Sequence, residues 1–121
     1  MKRVEDVNVV RIEPLNPPAA LKGALPASER ANQTVAEGRE AVRRILRQED
    51  PRLMVITGPC SVHDAELALE YARRLVRLQE RLQDRLLLVM RVYFDKPRTT
   101  VGWRGFMNDP EMNGSNNLAL G

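Results

Sequence analysis

The segment from Met90 to Gly105 carries side chains suited to binding anions. It begins at the end of an apolar run and then places four cations against a single acid, namely Arg91, Lys96, Arg98 and Arg104 against Asp95. The hydroxyls of Thr99 and Thr100 lie among these cations. Guanidinium groups offer a planar fork of donors and an ammonium offers a compact point charge, so both suit phosphate and carboxylate oxygens. The loop could therefore hold two anionic small molecules close together.

Arg91 is the most informative of the four cations, because it directly follows the apolar run Leu86–Met90. A guanidinium at the end of a buried strand needs an anion, since burying an unpaired charge is costly. That anion could be internal, at Asp95 or Asp109, or it could be a bound ligand. The crowding of further cations nearby favours a bound ligand.

Cys60 follows Gly58-Pro59 at the end of another apolar run, and it is the single cysteine of the chain. A lone cysteine is often a small buried hydrophobe, but a thiol at a strand end can equally serve a site. A metal site would need partners, and His63 alone is close in sequence. We interpret His63 as a residue at a helix start that makes local hydrogen bonds.

Two apolar runs and the segment between them indicate how these side chains are positioned. Leu53–Thr57 and Leu86–Met90 are continuously apolar, which predicts two fully buried strands. The spacing of apolar residues predicts a helix from Asp64, as N-cap, to about Gln83. Such a unit forms a right-handed crossover with parallel strands. The strands then end at the same edge, so Cys60 and the cationic loop should face one pocket.

The N-terminal part is less regular. Residues 1–27 contain four of the eight prolines and predict an arm, with a short strand possible at Val7, Val9, Val10 and Ile12. A helix is predicted from Ser28, as N-cap, to about Gln48. Residues 113–121 are rich in Asn and Gly and predict no regular element.

Composition excludes several classes of protein. The net charge is +3 and aromatic residues make up 4%, which argues against nucleic-acid binding. The apolar runs are shorter than the roughly 20 residues of a membrane span, and the N-terminus lacks the apolar core of a signal peptide. A single cysteine excludes an intrachain disulfide. We therefore expect a cytoplasmic protein with small-molecule partners, without nucleic acid or membrane.

These motifs together resemble the class I 3-deoxy-D-arabino-heptulosonate 7-phosphate (DAHP) synthases, the microbial, feedback-regulated type. The similarity runs from about Pro17 to Met112, and its matching segments are Ala27–Glu29, Gly58–Asp64, Met90–Gly105 and Asn108–Pro110. The Lys-Pro-Arg-Thr-Thr loop behind an upstream Gly-Pro-Cys-Ser is specific in combination. The related octulosonate-phosphate synthases carry asparagine in place of the Pro-Arg pair.

The resemblance implies a (β/α)8 barrel that condenses phosphoenolpyruvate with erythrose 4-phosphate and releases phosphate, in the first step of aromatic amino acid biosynthesis. It implies a divalent metal such as Mn, Fe or Co, with Cys60 as a ligand. Arg91 and Lys96 would contact phosphoenolpyruvate, and Lys96 would be the catalytic proton donor. The erythrose 4-phosphate site would be lined by Lys96, Pro97, Arg98 and Thr99, supported by Thr100.

The resemblance also implies a homo-oligomer that an aromatic amino acid inhibits. The arm would help to form the subunit interface, and Asp6 falls where the family places an acid beside the inhibitor.

The predicted fold class is α/β, with residues 1–27 as an arm and residues 28–121 as the first βα units of an incomplete (β/α)8 barrel. A complete barrel needs about 250 residues. We therefore expect a truncated, frameshifted or split gene product that is inactive in isolation. Two alternatives remain open, a non-catalytic module that binds phosphate or a sugar phosphate, and an interaction fragment that pairs with a full-length synthase.

Overall fold

The computed structural model describes residues 4–9 and 11–121. Within them the elements follow the order α1 (Pro18–Ala24), α2 (Glu29–Leu46), β1 (Leu53–Thr57), α3 (Ala65–Leu82) and β2 (Leu86–Met90). In these described ranges, no helix combines the length and apolar character that crossing a membrane requires.

Both predicted helix starts are confirmed by their capping bonds. The hydroxyl of Ser28 accepts a hydrogen bond from the Ala31 amide at 3.2 Å, so α2 begins at the next residue. The carboxylate of Asp64 accepts one from the Leu67 amide at 2.9 Å at the start of α3. The short α1 was not predicted. It begins at Pro18, where the fixed φ of proline suits the first helical position.

The two strands pair in parallel, as predicted. Their register runs from Leu53 opposite Leu86 to Thr57 opposite Met90. The ladder continues past the carboxyl ends, because the Arg91 amide donates to the Thr57 carbonyl at 2.7 Å. The α/β class is thus confirmed, and α3 packs mainly against β2 while α2 contacts β1.

The outer edges of this sheet differ. At β2, the side-chain amide of Gln79 donates to the Leu86 carbonyl at 3.1 Å and accepts from the Leu88 amide at 2.6 Å. These two backbone groups point away from β1, because alternate residues of a parallel strand bond to opposite neighbours. At β1 the outer edge has no strand beside it in the described part of the chain.

Burial of the strands is lower than predicted. Leu53 and Ile56 are 65% and 62% exposed, and Val62 is the one apolar residue in the described ranges that counts as buried. The prediction of fully buried strands is therefore wrong for this chain. Parallel strands are buried when layers cover both faces, and α2 and α3 cover only part of this surface.

The described residues of the arm do not form the short strand that was predicted there. Residues 4–9 and 11–14 are turn or irregular backbone, and Val10 lies outside the described residues. A strand needs a partner to satisfy its backbone groups, and no strand lies beside this segment in the described structure.

The amino end of the sheet is closed by one ion pair. The guanidinium of Arg52 grips the buried Asp50 carboxylate in a bidentate arrangement, with Nη2 at 2.7 Å and Nε at 3.0 Å. Arg52 also donates to the Gln83 carbonyl at 3.3 Å, which ties the end of α3 to β1. The hydrogen bonds from the Arg52 side chain and backbone lower the pKa of Asp50 to about 2.

Candidate functional site

The carboxyl ends of the two strands approach so closely at Gly58 that no side chain fits there. A Cβ on Gly58 would lie 2.9 Å from the Arg91 amide nitrogen and closer still to the Arg91 carbonyl oxygen. Beyond this point the Val62 amide donates to the Tyr93 carbonyl at 2.8 Å. The segment with Cys60 therefore lies against the start of the cationic loop.

Lys96 reaches across to Cys60. Its ammonium donates to the Cys60 carbonyl at 2.7 Å and lies 2.9 Å from the Cys60 sulfur. The thiol is exposed and free. The hydrogen bond and the charge of Lys96 lower the pKa of Cys60, and the charges of Arg91 and Arg98 add to the effect. The thiolate, which is the nucleophilic and metal-binding form, is thereby favoured.

Arg91 stays at the same edge without an ion pair. Its Nη2 donates to the Pro59 carbonyl at 3.1 Å, and its guanidinium carbon lies 5.0 Å from the centre of the Tyr93 ring. The internal ion pair with Asp95 or Asp109 that the sequence left open does not form in the described structure. A carbonyl and an aromatic face leave the positive charge available to an anionic ligand.

Asp95 and Asp109, the two acids that could have paired with Arg91, both accept hydrogen bonds from backbone amides. One carboxylate oxygen of Asp95 accepts from the Lys96 amide at 2.8 Å and from the Asn108 side chain at 2.7 Å. Asp109 is buried and accepts from the Gly114 amide at 3.0 Å and from the Ser115 hydroxyl at 3.4 Å. Neither acid therefore neutralises a cation of the loop.

The rest of the loop is open to solvent. Arg98 donates to the Trp103 carbonyl at 3.5 Å, while Pro97, Thr99 and Thr100 are exposed. The two threonine hydroxyls have no hydrogen-bond partner in the described ranges. None of the loop cations, Arg91, Lys96, Arg98 and Arg104, takes part in a salt bridge among the described residues.

Asp6, the predicted regulatory acid, makes no polar contact with this loop in the described structure. It is exposed and has a positive φ of 52°, at a turn where its carbonyl accepts from the Val9 amide at 3.1 Å. No hydrogen bond or ion pair joins it to the loop in the described structure.

For a metal ion, the described residues offer one candidate ligand. Residues 4–9 and 11–121 bring no three His, Cys, Asp or Glu side chains together in a ligating group. The sulfur of Cys60 is accessible, but its near neighbour is the Lys96 ammonium and not a second ligand. The neighbouring His63 is exposed and precedes the N-cap of α3. These residues alone therefore do not fit a complete metal centre.

Sequence reasoning missed two residues of the site. The ring of Tyr93 lies below two cations, 5.0 Å from the guanidinium carbon of Arg91 and 5.9 Å from the ammonium of Lys96. Its spacing of two from Arg91 was a usable signal, because alternate residues of an extended chain share a side. The second residue is Asn108, whose amide contacts Asp95 from 13 positions away. Nothing in the local sequence predicts that contact.

Comparisons with known proteins agree on one family. The family model described as the DAHP synthetase I family matches residues 25–121. The Phe-sensitive phospho-2-dehydro-3-deoxyheptonate aldolase of Escherichia coli (strain K12) is 53% identical over 111 residues. This match covers 92% of the present chain and 32% of that enzyme. The phenylalanine-inhibited enzyme of Saccharomyces cerevisiae is 45% identical, over 94% of this chain and 31% of that protein.

A solved structure gives the same result for the fold. The phospho-2-dehydro-3-deoxyheptonate aldolase from Francisella tularensis SCHU S4 superposes with a TM-score of 0.86 at 38% sequence identity. The superposition covers 93% of this chain and 33% of that one. The chain thus spans about a third of the length of the relatives it matches.

Proposed function

Because this chain belongs to the DAHP synthetase I family, we propose that it forms part of a 3-deoxy-7-phosphoheptulonate synthase and carries its anion-binding loop. The reaction joins phosphoenolpyruvate to erythrose 4-phosphate and releases phosphate. The observation that supports this best is the contact of the Lys96 ammonium with Cys60, at 2.9 Å, in a loop whose cations form no ion pair with any described residue.

Six side chains of the loop have a proposed role in binding the two substrates. Arg91 and Lys96 bind phosphoenolpyruvate, because both charges lie at the strand ends beside the Tyr93 ring. Together with Lys96, the exposed residues Pro97, Arg98 and Thr99 line the erythrose 4-phosphate site, and the exposed Thr100 supports it. Two phosphorylated substrates repel each other, and a loop with uncompensated positive charge offsets that repulsion.

In the proposed reaction, C3 of phosphoenolpyruvate forms a bond to the aldehyde carbon of erythrose 4-phosphate. Water adds at C2, the C2–O bond to the phosphate group then breaks as the new C2 hydroxyl loses its proton and becomes the ketone, and inorganic phosphate leaves with the bridging oxygen. The aldehyde oxygen becomes a hydroxyl and needs a proton, which Lys96 donates as general acid. A bound divalent metal would supply Lewis-acid polarisation of the aldehyde, with Cys60 as the one ligand from the described residues.

The same proposal extends to the fold and assembly of the whole enzyme. Residues 28–121 form the first βα units of a (β/α)8 barrel, and residues 1–27 form an arm at a subunit interface of a homo-oligomer. The curated relatives are named Phe-, Tyr- or Trp-sensitive. We propose that an aromatic amino acid inhibits the whole enzyme, with Asp6 beside it.

Titration calorimetry with phosphoenolpyruvate tests the loop directly. The wild-type chain should bind, and Lys96→Met should bind about tenfold more weakly, because a charge-assisted hydrogen bond is lost. Lys22→Met is the matched control, since Lys22 lies in the last turn of α1. Equal affinity of the wild type and Lys96→Met would contradict the assignment.

A second function is binding without turnover. It is favoured by one observation, that the neighbour of the Cys60 sulfur is the Lys96 ammonium, at 2.9 Å, which binds anions and cannot ligate a metal in its charged form. Phosphate release from phosphoenolpyruvate separates the two functions when this chain is joined to the rest of the barrel of a relative and assayed with erythrose 4-phosphate and Mn²⁺. In that chimera, heat of binding without phosphate release supports the module, and release supports the synthase.

A further inference from the structure

Asn108 makes two side-chain hydrogen bonds into the cationic loop, one to a residue 13 positions away and one to a residue four positions away. Its side-chain nitrogen donates to the Asp95 carboxylate at 2.7 Å and to the Arg104 carbonyl at 3.2 Å. The residue is half-buried, whereas most of the loop is exposed. It therefore joins the end of the loop to its beginning.

The same two acceptors hold the backbone of Lys96. Its amide donates to the Asp95 carboxylate at 2.8 Å and lies 2.9 Å from the Arg104 carbonyl oxygen. Asn108 thus fixes both groups that fix the Lys96 backbone. With its backbone held, the Lys96 side chain extends to Cys60.

Gly105 allows this arrangement. It has a φ of 108°, and a Cβ there would lie 2.7 Å from the Asp95 Cα. The Met107 amide adds a hydrogen bond to the Phe94 carbonyl at 3.0 Å. The segment that contains Asn108 is consequently packed directly on the backbone of Asp95.

Asn108 also determines what the single acid of the loop does. The carboxylate oxygen of Asp95 that accepts from Asn108 also accepts from the Lys96 amide, and the group forms no salt bridge with a loop cation. Without Asn108, this carboxylate would be held by the Lys96 amide alone, and an ion pair between it and a loop cation would compete with an anionic ligand for the same positive charge.

We propose that Asn108 is a positioning residue that acts through Asp95 to hold the Lys96 ammonium beside Cys60. The importance of Asn108 for substrate binding rests on the proposed function. The effect of Asn108 on the position of Lys96 does not rest on it, so position and substrate binding can be tested separately.

The test uses o-phthalaldehyde, which condenses with an amine and an adjacent thiol to form a fluorescent isoindole. Cys60 is the only thiol of the chain, so the fluorescence reports on its amine neighbour. The wild type should react and Lys96→Met should stay dark. Asn108→Ala should react about tenfold more slowly, as expected for the loss of a hydrogen bond to a charged group.

The matched control is Asn113→Ala. Asn113 also donates its side-chain amide to a carboxylate, that of Glu111 at 3.2 Å, but it has no bond to the loop. Its isoindole rate should equal that of the wild type. If Asn108→Ala does not fold, the isosteric Asn108→Asp decides, because it places a second carboxylate against Asp95 and should be as slow.

A double variant tests the pair itself. Asp95→Asn combined with Asn108→Asp exchanges donor and acceptor of the contact between these two residues. It should recover part of the isoindole rate lost in Asn108→Asp, because the bond to the Arg104 carbonyl is not restored. Three outcomes would each overturn the proposal. The wild type could give no isoindole fluorescence, both single variants could react at the wild-type rate, or the double variant could show no recovery of the rate. Phosphoenolpyruvate titrations of the same proteins then test the proposed function. If the wild type forms isoindole but does not bind phosphoenolpyruvate, the proposed function is refuted and the positioning role of Asn108 is not.

Discussion

The two ends of the small sheet treat charge in opposite ways. At the amino end, the buried Asp50 and the guanidinium of Arg52 neutralise each other at 2.7 Å, and Arg52 is anchored further by the Gln83 carbonyl. At the carboxyl end, Arg91 and Lys96 contact carbonyl oxygens, a sulfur and an aromatic ring, and among the described residues they contact no carboxylate. The same pair of strands therefore has one end with an internal ion pair and one end whose positive charge is not neutralised by a described residue.

This difference separates a structural ion pair from the charges that we propose to bind substrate. An ion pair with bidentate geometry fixes a helix end to a strand and leaves nothing for a ligand to bind. Cations held by neutral acceptors keep their net charge while their positions are fixed. The acid that could have neutralised them, Asp95, is engaged by Asn108 and by backbone.

The largest effect should come from Gly58→Ala, which breaks the carboxyl end alone. The added Cβ collides with the Arg91 backbone, and overpacking of this kind costs about 2 kcal/mol. Amide exchange at Arg91 and Val62 should therefore accelerate about 30-fold, while exchange at Leu53, whose amide bonds to Arg85, should not change.

Gly38→Ala is the control, because a Cβ on Gly38 meets nothing within 4 Å and α2 should gain stability. Equal acceleration at both ends of the strands would show that the two ends do not behave independently.

Arg91→Gln should weaken phosphoenolpyruvate binding about tenfold, because glutamine keeps a donor for Pro59 but loses the charge. Arg52→Gln, at the opposite end, should leave the affinity unchanged even if it lowers stability. Calorimetry on both variants measures the difference. A loss of affinity in Arg52→Gln as large as that in Arg91→Gln would remove the functional distinction between the two ends.

The pH dependence of Cys60 alkylation should show a smaller effect. Lys96 lowers the pKa of Cys60, so more thiolate is present at pH 7 than for an ordinary thiol. The iodoacetamide rate at pH 7 should fall a few-fold in Lys96→Met, and its pH profile should shift to higher pH. A profile unchanged by Lys96→Met would mean that the two side chains are not in contact in solution.

The smallest effect is expected at the amino end, in acid. The pKa of Asp50 is about 2 in the folded chain, below its ordinary value of 3.8, so this group stabilises the fold at pH values above 3.8. That stabilisation is lost as the pH falls through about 2. Exchange at the Leu53 amide should thus be slower in the wild type than in Asp50→Asn at pH 5, and the difference should shrink as the pH approaches 2.

Asp84→Asn is a suitable comparison for Asp50→Asn, because Asp84 forms an exposed ion pair with Arg85 at 3.7 Å. It should leave the exchange of Leu53 unchanged. If Asp50→Asn also has no effect at pH 5, the ion pair does not stabilise this end of the sheet.

The sequence predicted both strands and both helix starts, because continuous apolar runs and the capping side chains of Ser28 and Asp64 are local signals. It also predicted that Cys60 and the cationic loop would lie at one edge, since parallel strands end at a common edge, but it did not predict the direct contact of Lys96 with Cys60. It did not predict α1, because the prolines at the start of this helix, Pro17 and Pro18, were interpreted as part of an irregular arm.

Other features depend on contacts distant along the chain. The link between Asn108 and Asp95 follows from the close approach at Gly105, which no periodicity encodes. The exposure of Leu53 and Ile56 depends on which layers cover the sheet, and apolar character alone does not determine that. The roles of individual loop residues in the reaction stay predictions.

The unequal outer edges of the sheet bear on how this chain behaves at high concentration. Gln79 engages two of the backbone groups that β2 turns outward, whereas no strand covers β1 in the described structure. An uncovered strand next to exposed leucine and isoleucine can template the addition of another molecule. Growth of oligomers should therefore proceed from one side of each molecule, and a lysine introduced on β1 should slow it more than one on β2.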